Sequence, residues 1–395
     1  MELLYVVNQF PKISESFIIN ELYELDKRGY DITVFAKQRP DEEATHEEIQ
    51  KMGITVYYGE EPALTSLPYV CSKDILNKSL LRQTLFIDKP SYHIYALHLG
   101  KQISEVVERV GGVDLIHAHF ATPDRLSASY AATYHGIPCT VTAHAHEIFS
   151  PPSVQRLSQV LSRFNHVIVP SKYNKRYLRE EIEVKTDISV IPATTDVEKF
   201  EPSDGCVSGR LLTVARLVEK KGYKYAIEAV AELIEQGYNI EYHIIGTGER
   251  KESVQTRICE LGIEDHVKFL GHVSDDELRS ELHDAELFIL PCVIASNGDR
   301  DVAPVALKEA MATETACVST SVSAIPELIT SGEDGLLVEP KNSTALADTI
   351  AELLDNPDRR RELAKNGRNT VRNKFDISDS VDELTEVFDR FGKQD

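Results

Sequence analysis

Short apolar runs recur along the chain, each followed by a polar turn and then by an apolar stripe at helical spacing. The runs at 3–7, 32–36, 54–58, 114–117, 139–143, 166–169 and 188–191 read as strands. Segments 14–29, 125–134 and 172–181 between them read as helices. In the first helix Phe17, Ile18, Leu22 and Leu25 share one face, Ser14 is placed to cap it and Gly29 to end it. After residue 190 the pattern pauses in a polar, turn-rich segment that runs to Gly205 and reads as a linker. Alternation then restarts. Strands are predicted at 211–215, 242–245, 267–270, 287–290 and 316–318, and helices at 223–236, 249–261, 274–283 and 305–312. The end is helical, at 344–354, 357–373 and 381–391. Alternating strand and helix predict an α/β protein with parallel sheets. Two such domains joined by a linker suggest a ligand in the cleft they form, beyond the carboxyl ends of the strands.

Composition sharpens this picture. A chain of 395 residues accommodates two domains of roughly 150 residues or slightly more each. The formal net charge of −21 argues against nonspecific nucleic-acid binding, which needs a basic surface. No apolar stretch reaches the roughly 18 residues of a membrane span. Residues 1–12 lack a basic region ahead of their apolar run, so the opening reads as a first strand rather than a signal peptide. Cysteines at 71, 139, 206, 259, 292 and 317 show no metal-ligand spacing, consistent with reduced thiols and a cytoplasmic location.

Candidate chemistry concentrates just after the strands. The stretch 286–328 reads as strand, loop, helix and strand, with Pro304 where the helix begins. Asp301 precedes that helix and Glu309 lies in its second turn, with seven residues between them. A helix start offers free N–H groups and partial positive charge to a phosphate. Carboxylates beside it suit sugar hydroxyls, since an ionised carboxylate only accepts hydrogen bonds. The alternative is an ordinary helix with a solvent-facing glutamate. Arg216 and Lys220-Lys221-Gly222 follow the strand at 211–215, as a pyrophosphate clamp would or as a solvated basic loop would. Gly246 and Gly248 permit close backbone approach to a ligand, or simply a tight turn. Two histidine pairs, His117 with His119 and His144 with His146, each follow a strand, and alternate residues of a strand share a face. They allow a metal site with Glu147, an imidazole working near neutral pH, or satisfied core histidines.

The segment Glu309-Ala310-Met311-Ala312, seven residues after an acid, resembles the donor-binding signature of glycosyltransferase family 4. Asp301 stands where that family usually has glutamate, and Glu314-Thr315 departs from its usual Gly-Thr-Pro. Arg216 and Lys221 match the family's Arg and Lys-Gly motif. Residues 10–18 resemble the opening of members that build bacterial exopolysaccharides such as colanic acid. The resemblance covers nearly the whole chain and is firmest over 211–375. It implies the GT-B fold, two Rossmann-like domains whose parallel sheets face each other across a cleft. Residues 1–190 would form the acceptor domain and 191–375 the donor domain, with the terminal helix, 376–395, packing back on the first. It implies a retaining, hexosyltransferase-type enzyme that moves a sugar from a nucleoside diphosphate sugar to a saccharide or lipid-linked acceptor, with no metal and no other cofactor.

The resemblance assigns His144, Arg216, Lys221 and Asp301 to catalysis. For the donor it names Arg216, Lys221, Gly246, Gly248, Gly271, Asp301, Val302, Ala303, Pro304, Val305 and Glu309. For the acceptor it names Pro11, Ser14, Glu15, Ser16, His119 and Glu147. A sugar-nucleotide epimerase and a noncatalytic nucleotide-sugar-binding subunit stay open as alternatives.

Residues 70–101 carry five basic residues against two acids, interleaved with apolar ones. Such a stretch either lies peripherally on an anionic membrane surface, here the inner face, or is a packed helix whose lysines are solvated.

Overall fold

The computed structural model describes residues 1–12, 15–40, 47–60, 90–151, 153–203 and 205–392. Two parallel sheets organise them. The first is formed by β1 Glu2–Gln9, β2 Asp31–Gln38, β3 Thr55–Tyr58, β4 Leu115–His119, β5 Cys139–Thr142, β6 His166–Val169 and β7 Ile188–Val190, in the order β3-β2-β1-β4-β5-β6-β7. The second is formed by β8 Arg210–Val214, β9 Glu241–Ile245, β10 Val267–Gly271, β11 Leu287–Leu290, β12 Ala316–Thr320 and β13 Leu336–Val338, in the order β10-β9-β8-β11-β12-β13. Strand order reverses at β1/β4 in one sheet and at β8/β11 in the other. At such points the loops leaving neighbouring strands diverge and make room for a ligand.

The apolar runs that mark the strands follow from burial on both faces. In β11, Leu287 and Ile289 enter one core layer with Leu211 of β8 and Val318 of β12. Phe288 and Leu290 enter the opposite layer with Leu212 and Cys317. Alternate side chains of one strand thus supply two cores, each full burial contributing roughly 1.5–3 kcal/mol.

The chain divides into two compact units, one of residues 1–192 together with the chain from Val381 onward, the other Ala193–Ser380. The last helix, Ile377–Asp389, places Val381, Leu384, Val387 and Phe388 in buried positions. Phe388 packs on the His117 ring at 5.2 Å between centroids, and Asp382 pairs with Arg28 at 2.5 Å. No helix among the described residues is long and apolar enough to cross a membrane.

Two local readings need correction, and a third falls largely outside the described residues. The first helix spans Ser16–Lys27 rather than 14–29, with Glu15 at its N-cap position and no side-chain cap bond. Just before it, the Glu15 N–H donates to the Lys12 carbonyl at 3.0 Å and the Glu15 carboxylate pairs with Lys12 at 2.8 Å. Ser14 lies outside the described residues. The helix Val154–Leu161, capped by Ser153, and the three-residue β13 carry too short a pattern to stand out in the sequence. Of the stretch 70–101, residues 70–89 lie outside the described residues, and the remainder belongs to the helix Pro90–Arg109.

Candidate active site

In the second unit, the loops after β8, β9 and β11 are pressed together through backbone. Gly222 has a φ of +72°, and a Cβ there would lie 1.8 Å from the Pro291 carbonyl oxygen. Gly246 and Gly248 face the loop after β8, where a Cβ would come to 2.1 Å from the Ala215 oxygen and 2.5 Å from that of Leu217. The Gly271 carbonyl accepts from the Gly246 N–H at 2.8 Å. These glycines therefore allow loop-to-loop packing, which holds Arg216 and Lys221 in place. Arg216 is exposed, with no ion pair to any described residue.

Lys221 and Asp301 meet directly. The Lys221 Nζ lies 2.9 Å from Asp301 Oδ2, and Lys220 Nζ lies 3.8 Å from Oδ1 and 3.2 Å from Asp299. The Cys292 thiol donates to Asp301 at 3.4 Å. Burial works to raise the Asp301 pKa, but the two lysines outweigh it and hold the carboxyl below its usual range. Burial likewise works to lower the Lys221 pKa and Asp301 outweighs it, so the ammonium is held above its ordinary value. Burial, with Asp301 beside it, pushes the Cys292 thiol well up, so it stays protonated. An ammonium has three N–H donors, so Lys221 can hold Asp301 and still meet an anion.

The helix Val305–Ala312 follows Pro304, which occupies its N-cap position. Val302, Pro304 and Glu309 are buried, and Ala303 and Val305 are half-buried. Sequence reasoning passed over Lys308. Its side chain is buried, with Nζ donating to the Ala193 carbonyl at 2.5 Å and to Ala303 at 3.0 Å, over the Phe375 ring. Burial lowers its pKa to about 7, with Glu309 working the other way. A lysine amid the apolar positions of this helix was the available signal.

In the first unit, His117 is a core histidine, its ring nitrogens bonded to the Thr140 and Thr142 hydroxyls at 2.8 and 3.1 Å. Burial drives its pKa well below the ordinary value. His119, expected at the acceptor, is buried with both ring nitrogens engaged, Nδ1 by His144 and Nε2 by Glu21, each at 3.2 Å. Its neighbours leave no face for an acceptor. Glu147, also expected there, is buried. Its Oε1 accepts from the backbone N–H groups of His144 at 2.7 Å and Ala121 at 3.1 Å. It ties the loop after β4 to that after β5.

His144 is half-buried, flanked by the rings of Phe17 and Phe120 at 4.9 and 4.5 Å. Phe17 brings the helix start at Ser16 beside it, while the Glu15 N–H bonds back to the carbonyl of Lys12, the residue after Pro11. Burial lowers the His144 pKa well below the ordinary value, with His119 adding to the effect, so the ring is neutral near pH 7. Among the described residues, Glu21, His117 and His119 bring potential metal ligands within 4.8 Å of one another. All four imidazole nitrogens are already hydrogen-bonded within the protein, which favours a structural cluster over a metal site.

Residues 14–199 match the family model "Glycosyltransferase Family 4", and residues 208–370 match "Glycosyl transferases group 1". A Salmonella typhimurium glycosyltransferase assigned to colanic acid biosynthesis, WcaL, is 28% identical over 373 residues, covering 89% of this chain and 90% of the relative. The amylovoran biosynthesis glycosyltransferase AmsK of Erwinia amylovora is 37% identical over 181 residues, 46% of this chain and 44% of the relative. Among solved structures, Anabaena HepE in complex with UDP-glucose superposes with a TM-score of 0.74 at 18% identity, covering 99% of this chain and 100% of that one. A Rickettsia africae glycosyltransferase gives 0.74 at 16% identity, covering 100% and 99%. At these identities the superpositions speak to the fold, which is GT-B.

Proposed function

The chain belongs to the glycosyltransferases that carry a family 4 domain ahead of a group 1 domain, and from that premise we propose that it moves a sugar from a nucleoside diphosphate sugar to a hydroxyl of a saccharide or lipid-linked acceptor. The observation that carries this reading is the Lys221–Asp301 pair at the strand-order reversal of the second sheet, with Arg216 exposed close by. A cation pair suits a diphosphate and a carboxylate suits a sugar hydroxyl. WcaL and AmsK, named for exopolysaccharide synthesis, favour a role in polysaccharide assembly, and HepE solved with UDP-glucose favours a nucleotide-sugar donor.

In this reading the bond from the anomeric carbon to the diphosphate oxygen breaks, and the nucleoside diphosphate leaves with the electron pair. The acceptor oxygen bonds the same carbon and its proton passes to the departing phosphate, so attack comes on the same face and configuration is retained. Charge grows on the leaving group, where Arg216 and Lys221 stabilise it. Two side-chain cations meet that charge, so the reading calls for no metal. Glu309 accepts from the ribose, Asp301 from the donor sugar, and the neutral His144 imidazole from a sugar hydroxyl.

The test begins with a panel of nucleotide sugars and ligand-induced melting shifts. The stabilising donor is then incubated with oligosaccharide and polyprenyl-phosphate-linked acceptors. Release of nucleoside diphosphate that depends on acceptor supports transfer. Conversion of the donor without acceptor would make the protein an epimerase, and binding without turnover a noncatalytic subunit.

A further inference from the structure

Behind His144, ring nitrogens and side-chain oxygens form one chain of hydrogen bonds. His144 Nε2 lies 3.2 Å from His119 Nδ1, and His119 Nε2 lies 3.2 Å from Glu21 Oε1. Tyr5 donates its hydroxyl to the same Glu21 oxygen at 2.7 Å. Tyr5 comes from β1, Glu21 from the helix Ser16–Lys27, His119 from the end of β4, and His144 from the loop after β5. The His119 and His144 rings stack at 5.4 Å between centroids, and His119 stacks on Tyr5 at 5.7 Å.

The chemistry at the far end sets the direction of every bond. Burial, with Glu21 beside it, pushes the Tyr5 phenol well up, so it stays protonated and donates. The Glu21 oxygen is then the acceptor for the His119 Nε2–H as well. When its imidazole is neutral, His119 carries its single N–H on Nε2, so Nδ1 is bare and accepts from His144 Nε2–H. By the same rule His144 Nδ1 keeps its lone pair, and among the described residues that atom has no hydrogen-bond partner. The other titratable groups nearby are otherwise engaged. His117 is bonded to two threonine hydroxyls, and Glu147 accepts from backbone N–H groups.

We propose that Glu21 and His119 are positioning residues, holding the His144 ring in its Nε2–H tautomer so that Nδ1 is presented as an acceptor for a sugar hydroxyl. The proposal rests on the reading of His144 as the group near the reacting sugar. It assigns His119 and Glu21 no contact with substrate.

The experiment reads the tautomer directly. Protein labelled with ¹⁵N-histidine reports ring-nitrogen shifts, and the His144 signals are those lost in His144→Gln. In the wild type, Nε2 should be protonated and Nδ1 bare. In His119→Ala, the ring should populate both tautomers and kcat should fall on the order of tenfold, the scale seen when a partner that orients a functional imidazole is removed, with the donor KM little changed. His119→Asn, whose amide oxygen can stand in for Nδ1, should restore the Nε2–H tautomer and part of kcat. Should His119→Ala fail to fold, His119→Asn and Glu21→Gln carry the comparison, each holding a single tautomer with kcat between that of the wild type and zero. A wild-type His144 protonated at Nδ1, or an unchanged tautomer or kcat in a folded His119→Ala protein, would overturn the proposal. Absence of transfer by the wild type would instead overturn the transferase reading, while the ring shifts would still report on the bond chain.

Discussion

Lys221 and Asp301 pair at 2.9 Å with both side chains only 13% exposed, one on the loop after β8 and the other on the loop after β11. The acid proposed to meet the donor sugar is therefore also the acid that holds the proposed phosphate-binding lysine. Asp301→Ala should cost about 3 kcal/mol of stability, because Lys221 loses its nearest carboxylate in a largely dry site. Asp301→Glu should keep both roles and turn over at least as well as the wild type, whereas Asp301→Asn should lose turnover. Denaturant melts paired with donor titrations separate the two effects. If Asp301→Ala lowers stability yet Asp301→Asn and Asp301→Ala both bind donor as the wild type does, the acid holds Lys221 and does not touch the sugar.

Removing the Arg216 guanidinium or the Glu309 carboxylate should weaken donor binding about tenfold or more, the scale of a hydrogen bond to a charged group. Arg216 is exposed and makes no ion pair with any described residue, so Arg216→Ala should leave the melting temperature unchanged. Calorimetric titration with the stabilising nucleotide sugar decides the point. Wild-type affinity in folded Arg216→Ala and Glu309→Ala proteins would end the assignment.

Gly222→Ala should destabilise the second unit by on the order of 3 kcal/mol, combining left-handed backbone strain with a backbone clash. The Cβ would lie 1.8 Å from the Pro291 oxygen, and main chain cannot step aside as a flexible side chain would. Gly262, also at positive φ but with nothing within 4 Å of a Cβ, serves as the control, and Gly262→Ala should cost clearly less. Equal melting temperatures for the two variants would refute the packing argument.

Lys308 gives stability a dependence on pH. Its pKa is about 7 in the fold against an ordinary 10.5, so between those values the unfolded chain binds more protons. Stability should therefore rise with pH across that window, by up to about 3 kcal/mol between pH 7 and 9.5. Lys308→Met should abolish this part of the rise, and its advantage over the wild type should be greatest at or below pH 7. Parallel urea melts of the two proteins at both pH values supply the measurement. Identical slopes of stability against pH would show that the lysine keeps an ordinary pKa.

If the stretch 70–101 lies on a membrane, sedimentation with vesicles containing anionic lipid should be seen at low salt and weaken as salt rises. It should also fall when Lys73, Lys78 and Arg82, which lie outside the described residues, are changed together to serine. Failure to sediment at low salt would exclude the membrane-surface role and point to an acceptor that is not membrane-bound.

What the sequence by itself determined follows from local periodicity. Strands buried on both faces write themselves as apolar runs, as Leu287–Leu290 does, and helices as stripes. From these the α/β class and parallel sheets are legible. The family's short motifs are legible too, because Arg216, Lys221 and Glu309 lie at fixed distances from strand ends and helix starts. What only the tertiary structure decided are contacts far apart in the chain. Glu21 reaches His119 across 98 positions, and Lys308 reaches Ala193 across 115. Nothing in local spacing shows that His119 is sealed behind His144 or that Glu147 accepts from two backbone N–H groups. A polar side chain looks the same in sequence whether it faces a substrate or satisfies a buried donor, and only the packing around it, set by sheet order, decides which.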